Sequence, residues 1–161
     1  MVNTTILIPA REKIEIPVSC VERGRWRYRS PVFEEAGAFG YSNLRRQKTQ
    51  QVTDSLRFNM GFKADQRAIW EEIDRKQSCM GTSSSTDALH EVYQNYKKEL
   101  EKFISGLEPV PGQSGIAVFI NNRFVCLDIF DSPGTLQKLW VKLLQSYVME
   151  ALEAVEGKGS P

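Results

Sequence analysis

Residues 20–29 read Cys-Val-Glu-Arg-Gly-Arg-Trp-Arg-Tyr-Arg. Arg23, Arg25, Arg27 and Arg29 take every second position, with Gly24, Trp26 and Tyr28 between them. In an extended segment alternate side chains share a face. Four guanidinium groups would then stand on one side and two aromatic rings on the other. A guanidinium fork matches phosphate and carboxylate oxygens in pairs. Arg25, between Gly24 and Trp26, is the residue best placed to hold a phosphate, because a glycine lets a ligand approach the backbone. Trp26 is a candidate pocket wall for a base or sugar, and Glu22 a candidate partner that orients Arg25. The competing reading is an edge strand whose charges keep it from pairing with another sheet.

Further along, Arg45, Arg46 and Lys48 follow Ser42-Asn43. A helix start there would add free N–H groups to the cations, an arrangement that suits an anion. Asp65 opens a further helical pattern, either as a ligand group or as a plain cap. Asp128 lies inside the apolar run Cys-Leu-Asp-Ile-Phe and needs a partner if buried, an arginine or a metal. Cys20 shares the Ile16 and Val18 face of its segment, which favours a buried thiol over a nucleophile. Neither a P-loop, a dinucleotide fingerprint nor a Gly-x-Ser-x-Gly motif is present.

The chain has 161 residues, 41% hydrophobic and 25% charged, with a net charge of +1. That composition builds a folded core and argues against binding a polyanion by bulk charge, so nucleic acid is the weakest of the ligand classes. Charge is unevenly spread. Residues 1–57 carry ten Lys or Arg against six Asp or Glu, and the remainder carries eleven against fourteen. The basic part holds the arginine ladder. Three widely spaced cysteines indicate a reducing compartment. With one histidine and no Cys-x-x-Cys pair, no metal site is expected. No apolar run approaches the roughly 20 residues of a membrane span, and no signal peptide is visible. A cytoplasmic location is the expectation.

The elements that must position these residues follow from periodicity. Residues 4–9 and 14–21 read as strands, the second by its alternation of Ile14, Ile16, Val18 and Cys20 with polar residues. Ser42 is expected to cap a helix to Leu56, Asp65 one to about Met80, and Thr86 a long one to Leu107. Residues 115–120 and 124–130 read as strands joined by Asn121-Asn122, a pair suited to a tight turn with positive backbone angles. Ser132-Pro133 opens a last helix to about Val155. The order predicts an α+β fold, a mostly antiparallel sheet with helices on one face, in a single domain over residues 1–156 with a frayed tail at 157–161.

On the stretches Asn-Thr-Thr-Ile-Leu-Ile-Pro at 3–9, Cys-Val-Glu-Arg-Gly-Arg-Trp at 20–26, Asp65-Gln66 with Trp70, and Asp-Ile-Phe-Asp at 128–131, the chain resembles the ARPP domain family. That prokaryotic family is named for its association with ADP-ribosylglycohydrolases and rhodanese-phosphatase proteins. The resemblance covers nearly the whole chain. It implies that a family segment with Glu-Gly-Glu and Gln-Asn-Arg sequences, ahead of the first strand, is absent from these residues. It implies no established activity and no cofactor, only genomic company with ADP-ribose and phosphate chemistry.

Two functions from different classes follow. One is binding or processing of a phosphorylated, nucleotide-like small molecule such as an ADP-ribose derivative, on Glu22, Arg25, Trp26, Arg45, Asp65 and Asp128. The other is an interaction or structural domain that forms a homodimer.

Overall fold

The computed structural model describes residues 1–4, 7–24 and 37–156. It contains, among the described residues, five helices and a two-stranded antiparallel sheet: α1 (Ser42–Arg57), α2 (Gln66–Cys79), α3 (Leu89–Asn95), α4 (Lys97–Ile104), β1 (Gly115–Ile120), β2 (Arg123–Ile129) and α5 (Pro133–Glu156). The fold is α+β, as the periodicity predicts.

The main core lies where the five helices meet. Tyr41 and Leu44 at the start of α1, Ile69 and Ile73 of α2, Val92 and Tyr93 of α3, Leu100 of α4, and Met149 and Leu152 of α5 pack as one cluster. A second cluster lies between α5 and the hairpin. Leu136, Leu143, Leu144 and Tyr147 are buried there against Ile116, Val118, Cys126 and Phe130. The long helix α5 therefore presents one stretch to the bundle and another to the sheet. Its start is set by Ser132, whose Oγ accepts from the Thr135 N–H at 3.2 Å, with Pro133 at the first helical position. Asp65 caps α2 by accepting from Arg67 N at 2.9 Å and Ala68 N at 3.2 Å.

The hairpin turn has the anticipated conformation: Asn121 and Asn122 sit at φ of 50° and 61°. Only asparagine, aspartate and glycine visit that region cheaply. The pairing then departs from simple alternation. Val118 faces Cys126, but Phe119 faces Phe124, so Val125 is an extra residue on β2. This bulge flips the side-chain order beyond it. Phe124 joins Ala117, Phe119, Leu127 and Ile129 on the outer face, and Arg123, opposite Ile120, turns to the inner side.

Three expectations are corrected. The described parts of 4–9 and 14–21 form no strand; their pairing is one isolated bridge, Val2 to Val18. Pro9 and Pro17 lack the N–H groups a ladder needs, and Ile14, Ile16 and Val18 are exposed, so the alternation buries no face. The long helix of 86–107 is two short ones, starting after Ala88 and interrupted at Tyr96. The Tyr96 hydroxyl donates to the Met80 carbonyl at 2.7 Å, fixing the break against the end of α2. The chain leaves α4 at Ser105 and turns through Gly106 at φ 86°, earlier than Pro109. Ser42 is inside α1 and makes no cap; the preceding residue is Tyr41, with no side-chain cap bond.

Asn122→Ala should destabilise the protein by about 1 kcal/mol, because alanine tolerates the left-handed region poorly, whereas Asn122→Gly should not. Chemical denaturation of the two variants checks this; equal losses would remove the turn geometry as the cause.

Candidate functional site

Two charged constellations join the elements, and both combine residues distant in sequence. The first lies beneath the hairpin. Arg45 of α1 donates from both terminal nitrogens to Asp128 of β2, each at 2.9 Å. Tyr147 of α5 donates its hydroxyl to Asp128 Oδ2 at 2.5 Å, and its ring lies 5.9 Å below the Arg45 guanidinium. Burial alone would raise the Asp128 carboxyl, but the hydrogen bonds from Arg45 and Tyr147 and the Arg45 charge hold it below its ordinary range. Burial and the bond to Asp128 push the Tyr147 phenol up. The Cys126 thiol next to this pair is also pushed up, by burial and then by the Asp128 charge, so thiolate chemistry is disfavoured there.

The second constellation lies between α1, α2 and α5. Lys76 is fully buried, with its ammonium on Glu150 at 3.3 Å, in contact with Glu153, and 4.0 Å from the Tyr41 ring centre. Arg75 donates to both oxygens of Glu72 at 2.8 Å and to Glu153. Glu72 also accepts from the Tyr41 hydroxyl at 3.0 Å and from Asn43 Nδ2 at 2.9 Å. Burial would raise Glu72 and Glu153, yet the hydrogen bonds from Arg75 and, respectively, Asn43 and Lys76 hold both below the ordinary range. Glu150 Oε1 accepts from the Asn43 N–H at 2.6 Å. That carboxylate fills the start of α1, where an external anion would otherwise be expected.

The sequence-derived candidates are therefore placed as follows. Arg45 and Asp128 come together and neutralise each other. Asp65 caps α2, and Glu22 lies where the backbone bridges to Ala88; neither hydrogen-bonds to the Arg45–Asp128 pair. Arg25 and Trp26 lie outside the described residues. Of the ladder, Arg23 is described: it pairs with Asp74 and lies 5.8 Å over the Trp70 ring. Gly24 approaches the Thr86 backbone; a Cβ there would meet Thr86 Cα at 2.7 Å. Cys20 holds its Sγ against the Glu22 carbonyl at 3.1 Å.

A cleft opens at the junction of the hairpin tip with α1, α2 and α5. One cavity of about 600 Å³ is lined by Arg123, Val125, Glu150, Glu153 and Cys79 among others. A neighbouring one of about 520 Å³ is lined by Asn43, Arg46, Phe124, Val125 and Glu150. Sequence reading missed Arg123 because its inward aim depends on the bulge. It also missed Glu72, Lys76, Glu150 and Glu153. A signal existed for α2: Ile69, Glu72, Ile73 and Lys76 share one helical face, so charges interrupt an apolar stripe. Among the described residues no group of three or more His, Cys, Asp or Glu is arranged to hold a metal ion. No described helix is long and apolar enough to cross a membrane.

The family model of the ARG and Rhodanese-Phosphatase-superfamily-associated Protein domain, ARPP-1, matches residues 1–161. The chain belongs to this family. No curated protein and no solved structure matches it. In this ARPP-1 domain the Cys-Val-Glu-Arg-Gly stretch is tied to the bundle by backbone bonds, Gly24 N to the Thr86 carbonyl at 2.7 Å and Leu89 N to the Val21 carbonyl at 3.0 Å. The Gln66 side chain adds two more, accepting from Cys20 N at 2.8 Å and donating to its carbonyl at 2.7 Å.

Two outcomes follow for the ARPP-1 domain. Asp128, Glu72 and Glu153 have folded-state carboxyl pKa values below their unfolded ones. Their contribution is present above the ordinary carboxylate range of about 4 and is lost as pH falls through the folded values. Stability should drop on acidification below about pH 4, and Asp128→Asn should flatten that slope in pH-dependent denaturation. Lys76→Ala leaves buried carboxylates short of a counter-charge and should cost about 3–5 kcal/mol, whereas Lys98→Ala on exposed α4 should be near neutral. Thermal denaturation compares them; equal Tm values would remove Lys76 from the core's support.

Proposed function

We propose that this ARPP-1 domain is an interaction domain that self-associates through the outer face of the β1–β2 hairpin. One observation carries the reading. Phe119, Phe124, Leu127 and Ile129 point outward and are exposed at 62%, 61%, 54% and 70%. The Phe119 and Phe124 rings meet edge to face, with centroids 5.6 Å apart. Contiguous apolar surface of this kind marks a contact site. A two-stranded hairpin is marginal by itself and gains from cover on its second face.

The face suits a second copy of the same chain. Its outward residues, Ala117, Phe119, Phe124, Leu127 and Ile129, carry no charge, so two copies meet without like-charge repulsion across a two-fold axis. By contrast, Arg45 and Asp128 are paired to each other inside the fold, which supports a structural role for them. Their pair holds the hairpin to α1 and α5 and so presents the outer face.

Sedimentation equilibrium tests this. The protein should show a concentration-dependent monomer–dimer equilibrium, and Leu127→Lys with Phe119→Lys should shift it to monomer while circular dichroism stays unchanged. A wild-type protein that stays monomeric at every concentration would overturn the proposal.

A further inference from the structure

We infer that the cleft at the hairpin tip binds a small molecule carrying more than one anionic group, with organic diphosphates as the fitting class. The two cavities meet at Val125 and Glu150, and each has one guanidinium on its wall, Arg123 in one and Arg46 in the other. The bulge at Val125 is what turns Arg123 inward. With uninterrupted alternation, Arg123 would share the outer face of Leu127 and Ile129.

Neither guanidinium is neutralised by a described residue. Arg123 makes no hydrogen bond or ion pair to one. Arg46 donates to the amide oxygen of Asn43 at 2.7 Å, a contact that orients it and leaves its charge. The other arginines and the lysine around the cleft differ: Arg45, Arg75 and Lys76 each face a carboxylate.

The acidic floor repels an anion less than its residue types suggest. Glu150 is held by Lys76 and by the Asn43 N–H, and Glu153 by Arg75 and Lys76. Counting Glu72 with them, three carboxylates face two cations, Arg75 and Lys76, a balance of −1, and Arg46 and Arg123 at the walls bring the cleft to +1. The cations with no carboxylate partner among the described residues are the two arginines at the walls. Two separated guanidinium forks match two phosphoryl groups better than one. Volumes of several hundred Å³ are the usual size for such ligands.

The test is calorimetric titration of the whole chain with pyrophosphate, ADP and orthophosphate at fixed ionic strength. Pyrophosphate and ADP should bind, and orthophosphate should bind more weakly. Arg123→Gln and Arg46→Gln should each weaken pyrophosphate binding by about tenfold, the loss expected for one charged contact. Lys98→Gln should leave it unchanged. Arg123 has no described partner, so the unliganded Tm of Arg123→Gln should match that of the wild type, which separates lost binding from lost folding. The inference falls if none of the three probes binds. It also falls if both arginine variants bind like the wild type, or if Lys98→Gln weakens binding as much as they do. Leu127→Lys, which addresses self-association, should leave pyrophosphate binding intact.

Discussion

The structure depends on how one carboxylate, Glu150, is held. It reaches from α5 to the Asn43 N–H at the start of α1 and to the buried ammonium of Lys76 on α2. Without it α1 begins with no side-chain cap, because Tyr41 supplies none. An isolated ion in that interior would be very costly. The cost is offset because every member has several partners. Lys76 has two carboxylates and the face of Tyr41, and Glu72 has Arg75, Asn43 and Tyr41. Such a network specifies one arrangement of three helices, since a shift of any of them would leave a buried charge without its counter-ion.

The Arg45–Asp128–Tyr147 group does the same for the sheet. Only two strands are present among the described residues, and a free hairpin has little stability of its own. Its inner face packs Ile116, Val118 and Cys126 on α5. Asp128, a carboxylate on that face, is accepted because Arg45 and Tyr147 satisfy it. Position is thereby fixed along the strand as well as across it. The bulge then places an apolar surface outside and a guanidinium inside, so self-association and anion binding would use opposite sides of one hairpin.

Much of the local structure was legible in the sequence. Asp65 at the start of α2, Ser132-Pro133 at the start of α5, and Asn121-Asn122 in the turn act through neighbours within a few residues. Their effect does not depend on the rest of the chain. The alternation at 14–21 was also visible but misleading. A period of two states only which side chains share a face. It does not supply a partner strand, and here two prolines and the lack of a covering layer leave the segment as extended chain. The helix of 86–107 failed for a related reason: its apolar spacing continues through Tyr96, whose hydroxyl is drawn to Met80 by a tertiary contact.

For the site, the sequence identified Arg45 and Asp128 as chemically notable and asked whether they meet. It had no means to answer, since 83 residues separate them. Composition and periodicity determined the α+β class, the starts of α2 and α5 and the hairpin turn, because those arise from short-range sterics and hydrogen bonding. Tertiary structure alone decided which charges neutralise each other and which are left facing the cleft. Coulomb energy and desolvation depend on distance in space and on burial, and neither is written in the order of residues.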